Sequence, residues 1–248
     1  MRLIGLTVVL ALGLVLAPVG AEAQRLPEVR RIGYLKGGIS PAFYENLRHG
    51  LRDLGYLEGR NLVIEYRSGE SQDRLAELAA ELIRLNVEVI VTPGTAVWAA
   101  KGVTKSVPIV FSVSGDPVEA GFVKSLARPD GNMTGITWLA FELVGKRLEF
   151  LKEVVPQVSR VAVLANPAHP GEQRELAETE RSARAASATV HYYQVKATGD
   201  FHAAFIVILK PSANGLLIFP DSLSLGPPQR RADVAGKHRL PRVLGWRA

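Results

Sequence analysis

The sequence predicts an α/β protein of two doubly wound lobes, the second with fewer strands than the first. Three observations carry this. From Arg30 onward, short β-branched runs alternate with stretches whose apolar residues recur at helical spacing. The connections between these units are short, which keeps consecutive units adjacent, as in open α/β sheets. Five such units are followed by a fresh series after about residue 140, with no long linker between them. The expected division is a leader over residues 1–23, an N-terminal lobe over 24–140 and a C-terminal lobe over 141–248, with a crevice between the strand ends of the two lobes.

In the first lobe, Arg31 to Leu35 reads as a strand, and Gly37-Gly38 then Ser40-Pro41 opens a helix with a cap and an N1 proline. Phe43, Leu47, Leu51 and Leu54 mark its apolar side until Gly55 stops it. A strand over Asn61 to Tyr66 leads to a helix capped by Ser71, with Leu75, Leu78, Ala79, Leu82 and Ile83 on one face. Glu88 to Val91 is a short strand that turns through Thr92-Pro93-Gly94-Thr95 into a small-residue helix. Pro108 to Ser112 is the fourth strand, a helix is expected over Pro117 to Leu126, and Met133 to Trp138 is the fifth strand.

The second series begins with a helix from Glu142 to Val155, whose buried side holds Leu143, Leu148, Leu151 and Val155. Strands follow at Arg160 to Leu164, Val190 to Val195 and Gly215 to Phe219, separated by helices at Glu172 to Ala188 and Asp200 to Lys210. A helix from Gln229 to Arg239 and a strand from Pro241 to Leu244 complete the pattern. Only about four strands are expected in this lobe.

Composition narrows the class. Among 248 residues, 47% are hydrophobic, which supports a real core. A net charge of +6 comes from basic residues interspersed with acids, so a phosphate-tracking surface is not indicated and no nucleic-acid partner is expected. There is no cysteine, which removes thiol catalysis, disulfides and cysteine-based metal sites. The five histidines are dispersed, and no metal site or cofactor is expected. At the start, Met1-Arg2, the apolar run Leu3 to Leu16 and the small-x-small site Ala21-Glu22-Ala23 read as a cleaved secretory leader. That places the mature chain in a periplasm-like space.

No phosphate-cradling glycine motif, nucleophile elbow or zinc-protease motif occurs, so a non-enzymatic protein is expected. Small or acidic polar residues stand instead at the ends of the predicted strands: Ser40, Gly94, Thr95, Ser114 and Asp116 in the first lobe, Asn166 and Asp221 in the second. Hydroxyls and helix N-terminal amides suit a carboxylate, whereas an acid such as Asp116 or Asp221 suits an ammonium. Taken singly, each is as well explained as a helix cap; Asp116 before Pro117 is a common capping pair. Their convergence on one crevice makes them candidate ligand contacts, and Trp138, at the lobe crossover, is the candidate for stacking on a ligand ring.

Four ordered segments resemble a known family. These are Gly50-Leu51-Arg52-Asp53-Leu54-Gly55-Tyr56-Leu57-Glu58-Gly59-Arg60-Asn61, Val107 to Phe111 with Gly115-Asp116-Pro117-Val118, Arg128-Pro129-Asp130-Gly131-Asn132-Met133-Thr134-Gly135, and Lys146-Arg147-Leu148-Glu149. Together they resemble the ABC-transporter substrate-binding proteins of the tryptophan/tyrosine-binding type. The resemblance implies a type I periplasmic-binding-protein fold, closure of two lobes on a small amino acid or analogue, and delivery to an ABC permease in the inner membrane; a monomer is expected. It also implies ligand contacts near Thr95, Asp116, Asn166 and Asp221, with Asp116 facing the ligand amine. By the same resemblance the chain is expected to stop short of the family's usual end, leaving the second lobe incomplete. The alternatives are a ligand-sensing regulatory module, a truncated remnant without function, or an enzyme built from dispersed residues.

Overall fold

In the computed structural model, residues 29–38, 42–197, 199–209, 213–221 and 241–244 are described. The expected leader, Ser40 and the expected helix at 229–239 lie outside them. Two parallel sheets organise the rest. The first has strand order β2-β1-β3-β4-β5, from β1 (Arg30–Gly37), β2 (Leu62–Gly69), β3 (Val89–Pro93), β4 (Ile109–Val113) and β5 (Met133–Thr137). The second has order β7-β6-β8-β9, from β6 (Arg160–Ala165), β7 (Thr189–Gln194), β8 (Gly215–Ile218) and β9 (Arg242–Leu244). In each sheet the order reverses beside its first strand, and such a reversal opens a crevice outside the carboxyl ends of the strands.

Alternation along β1 assigns the helices to faces. Leu35 joins the core cluster with Leu75, Leu78, Ala79 and Leu82 of α2 (Gln72–Arg84) and with Ala96, Val97 and Ala100 of α3 (Ala96–Val103). On the other face Tyr34 lies 5.1 Å, ring to ring, from Tyr44 of α1 (Ala42–Asp53) and 5.7 Å from Tyr66 of β2. α2 starts where expected, because Ser71 is extended (φ −105°, ψ 154°) and its side chain accepts the Arg74 N–H at 3.2 Å. The second sheet is covered on both sides. Val161, Val163 and Leu217 pack with Leu148 and Leu151 of α4 (Val144–Val154) and Ala183 of α5 (Glu172–Ala185). Ala162, Leu164, Leu216 and Ile218 pack with Phe205 and Ile208 of α6 (Asp200–Leu209).

Two expectations need correction. The segment expected to be a helix over Pro117 to Leu126 forms one turn only, because Gly121 takes the left-handed region (φ 66°) and both Phe122 and Val123 donate back to the Pro117 carbonyl. This buries Phe122 and Val123 in the first core. Leu143, expected inside, is 53% exposed and Val144 is buried instead, because residues Ala140–Leu143 form a 3-10 helix that shifts the apolar stripe by one position before α4.

Candidate functional site

The carboxyl ends of both sheets border a cleft of about 650 Å³. Gly37 and Gly38 come from the end of β1, Glu70, Ser71 and Gln72 from the step between β2 and α2, and Thr95 from the start of α3. The second sheet contributes Asn166, Pro167 and Ala168 after β6, and Lys196 and Ala197 after β7. The backbone bends that shape the wall use glycine where a side chain would strain: Gly38 has φ 73° and Gly94, just before Thr95, φ 64°. Gly94 is fixed by its N–H, which donates to the Ser112 carbonyl at 2.8 Å. Thr95 is buried, its hydroxyl makes no capping bond, and its carbonyl accepts from Gln72 Nε2 at 3.3 Å. Asn166 is buried, and its Oδ1 accepts the Ala168 N–H at 3.0 Å, which holds the loop after β6 in shape.

Beside the cleft, the two sheets' loops meet in a dense junction. Trp98 Nε1 donates to the Ala168 carbonyl at 3.0 Å, and Ser114 Oγ donates to the Pro220 carbonyl at 2.7 Å. Arg174 of α5 reaches Asp116 Oδ2 at 3.2 Å and Glu119 Oε2 at 3.1 Å, and its guanidinium lies 3.7 Å from the centre of the Phe141 ring. Gly115 and Gly171 approach so closely that a Cβ on Gly115 would stand 2.4 Å from Gly171 N. A second hollow of about 370 Å³ opens along this junction, between Trp98, Glu119 and the 167–174 segment.

A buried polar group sits beneath the junction. His169 Nε2 lies 2.9 Å from Glu175 Oε1 and 3.3 Å from Ser114 Oγ, and both the His169 and Glu175 side chains are essentially inaccessible. Burial pushes the Glu175 carboxyl up, against the hydrogen bond and charge of His169 and the charge of Arg147. Burial pulls His169 down, but the bond and charge of Glu175, with Asp221 and Glu172 adding, carry it above its ordinary value. Both directions mean that the pair keeps a proton to higher pH than its members would in water. A serine, a histidine and an acid in contact invite comparison with a nucleophilic relay. The geometry is different: serine and acid approach the same ring nitrogen, and the serine hydroxyl is spent on a carbonyl.

Of the candidate residues, the structure brings Thr95 and Asn166 into the cleft wall, with Gly94 adjoining Thr95. Ser114 and Asp221 are buried at the junction, the latter close enough to influence His169 and Glu175. Asp116 is committed twice. Its Oδ1 accepts the Val118 and Glu119 N–H groups at 2.8 and 3.3 Å, and its Oδ2 takes Arg174. That differs from the expectation that it faces a ligand amine: a short turn needing a cap and a guanidinium from the other sheet compete for the same carboxylate. Trp138 lies off the cleft, 6.2 Å from the Phe43 ring. Ser40 is outside the described residues.

Glu70 and Lys196 were missed in the sequence. β2 runs to Gly69, beyond the expected end at Tyr66, because Arg67, Ser68 and Gly69 pair with Leu35, Lys36 and Gly37. The strand-end rule applied to the true end points at Glu70. Lys196 follows the end of β7 in the same way, but a lone lysine reads as solvated.

This architecture, two parallel sheets whose carboxyl ends border a shared cleft, is that of a two-lobed solute-binding protein. The comparisons agree. The family model of the ABC transporter substrate binding protein matches residues 38–223, and the chain belongs to that family. It is 31% identical over 118 residues to the tyrosine-binding protein of Clostridioides difficile (strain R20291), a match covering 47% of this chain and 34% of that relative, about a third of its length. The fold is shared with an ABC domain from Streptococcus pneumoniae solved with L-Trp (TM-score 0.75, 20% identity, 88% of this chain and 74% of that one). It is also shared with a conserved domain protein from Vibrio cholerae (TM-score 0.78, 24% identity, 88% and 74%). Among the described residues, no helix is long and apolar enough to cross a membrane.

Proposed function

We propose that this protein binds a small amino-acid-like ligand between its lobes and delivers it to an ABC permease from the periplasm. The carrying observation is the cleft of about 650 Å³ whose polar wall comes from both sheets, a size and character suited to enclosing a small solute. The tyrosine-binding relative and the L-Trp complex of the streptococcal domain support an amino acid as ligand. In this reading the lobes divide near residue 140, and Gly94, Thr95 and Asn166 touch the ligand. Ser114, Asp116 and Asp221 set the angle at which the lobes meet. The N-terminal leader pattern supports export, and the protein acts as a monomer.

A ligand that binds only the folded form raises its stability, by about 2.7 kcal/mol at a hundredfold its Kd. Thermal melting of the mature chain against the common L-amino acids is expected to show a concentration-dependent rise for at least one. If none raises the melting temperature of a folded preparation, the amino-acid reading is wrong. Cell fractionation tests export: the chain is expected in the periplasmic fraction, shortened at about Ala23, and retention of full-length chain in the cytoplasm contradicts it.

A further inference from the structure

The cleft wall carries one acid, Glu70 from the first sheet, and one base, Lys196 from the second. Two acids at the junction, Asp116 and Glu119, are already engaged, since Arg174 holds both. Among the described residues, neither the Glu70 carboxylate nor the Lys196 ammonium takes part in an ion pair or a hydrogen bond; the one polar contact of Lys196 to a side chain is made by its backbone N–H, which donates to Asp200 Oδ2 at 2.9 Å. A solute in the cleft therefore meets an unneutralised carboxylate on one side and an unneutralised ammonium on the other.

We propose that Glu70 and Lys196 set the specificity of the cleft, Glu70 receiving a ligand ammonium and Lys196 a ligand carboxylate, so that the site selects amino acids over simple carboxylates. This inference rests on the amino-acid reading above and goes beyond it by naming the discriminating residues. A ligand with both charges neutralises both walls as the lobes come together. An anion lacking the ammonium still meets Lys196 but leaves Glu70 facing it unpaired, and like charges brought together in a partly enclosed site disfavour binding. Thr95, buried beside α3's first turn, adds a hydroxyl on the first-lobe side. The pairing also ties recognition to closure, because neither wall alone satisfies the ligand.

The test is titration calorimetry with three probes: L-tyrosine, 3-(4-hydroxyphenyl)propanoate, which lacks the ammonium, and tyramine, which lacks the carboxylate. The wild-type protein is expected to bind L-tyrosine at least tenfold more tightly than either analogue. Glu70→Gln is expected to weaken L-tyrosine at least tenfold and to close the gap to the propanoate, while leaving tyramine the weaker of the amines. Lys196→Gln is expected to close the gap to tyramine instead. Both positions are exposed, so the variants should fold, and matching melting curves without ligand check this. If wild type binds L-tyrosine but Glu70→Gln keeps the gap to the propanoate, or Asp116→Asn closes it instead, the inference is overturned while the amino-acid reading stands. If folded wild type binds none of the three probes, the inference is overturned; failure of all common amino acids in the melting screen overturns the amino-acid reading itself.

Discussion

Gly115→Ala is the sharpest test of how the two lobes are fitted together. The added Cβ would stand 2.4 Å from Gly171 N, 2.5 Å from Gly171 Cα and 2.9 Å from the Pro170 carbonyl carbon, all of them backbone atoms of the opposite lobe. A flexible side chain could swing aside, but two backbones cannot. Ordinary contact begins at 3.4 Å, so the loops must part by about 1 Å. That movement stretches the bond from Ser114 to Pro220, now 2.7 Å, and the contact from Ser114 to His169, now 3.3 Å. Overpacking of this kind costs about 1–3 kcal/mol. For a chain of this size the melting temperature should then fall by roughly 2–12 °C. Differential scanning calorimetry measures it, with Gly50→Ala as the matched control. Gly50 lies within α1 with nothing within 4 Å of its Cβ position, so alanine there should stabilise by about 0.5–1 kcal/mol. An unchanged melting temperature for Gly115→Ala would refute the close fit of the 115 and 171 loops.

Other expectations follow from the same geometry. The His169–Glu175 pair holds its proton above the values its members have in water, so the folded state binds more protons than the unfolded one. Stability from this pair is therefore fully present below the unfolded glutamate value of 4.5 and declines as pH rises through the raised folded values and past 6.5. Urea titrations across that range should show the decline, and Glu175→Gln should flatten it; a wild-type slope in the variant contradicts the assignment. Arg174→Ala removes two partly exposed ion pairs, each worth below about 1 kcal/mol after screening. Its cost, measured by urea denaturation, should shrink at high salt, and a cost independent of salt would point to the Phe141 contact instead. Leu82→Ala, at a fully buried position between α2 and the first sheet, should lose about 2–5 kcal/mol by the same assay. A loss below 1 kcal/mol, against that expectation of about 2–5, would show the core there to be loosely packed.

Much of the fold was legible because its period was local. Leu75, Leu78, Ala79 and Leu82 repeat at helical spacing and are buried on one face of α2, with Ser71 capping as expected. What sequence left open depended on partners far along the chain. The last three residues of β2 are strand only because β1 continues beside them, and that pairing carries the chain to Glu70. The Pro117 segment has a good helix start, yet burial of Phe122 and Val123 and the left-handed Gly121 close it after one turn. Asp116 admits two readings in the sequence, a cap and a contact for a ligand amine; its Oδ1 caps the turn, and its second oxygen is claimed by Arg174, 58 residues away, a contact that no local pattern announces. The places of Thr95 and Asn166 in the cleft wall were legible because each stands within two residues of the end of a short strand.

The account stands most directly on whether both lobes hold one solute. Calorimetric titration of the folded chain with a panel of L-amino acids, repeated on Thr95→Val from the first lobe and Lys196→Gln from the second, measures this. The prediction is saturable one-to-one binding of at least one amino acid, weakened by either variant. Absence of saturable binding, or binding that only one lobe's variant disturbs, would contradict it.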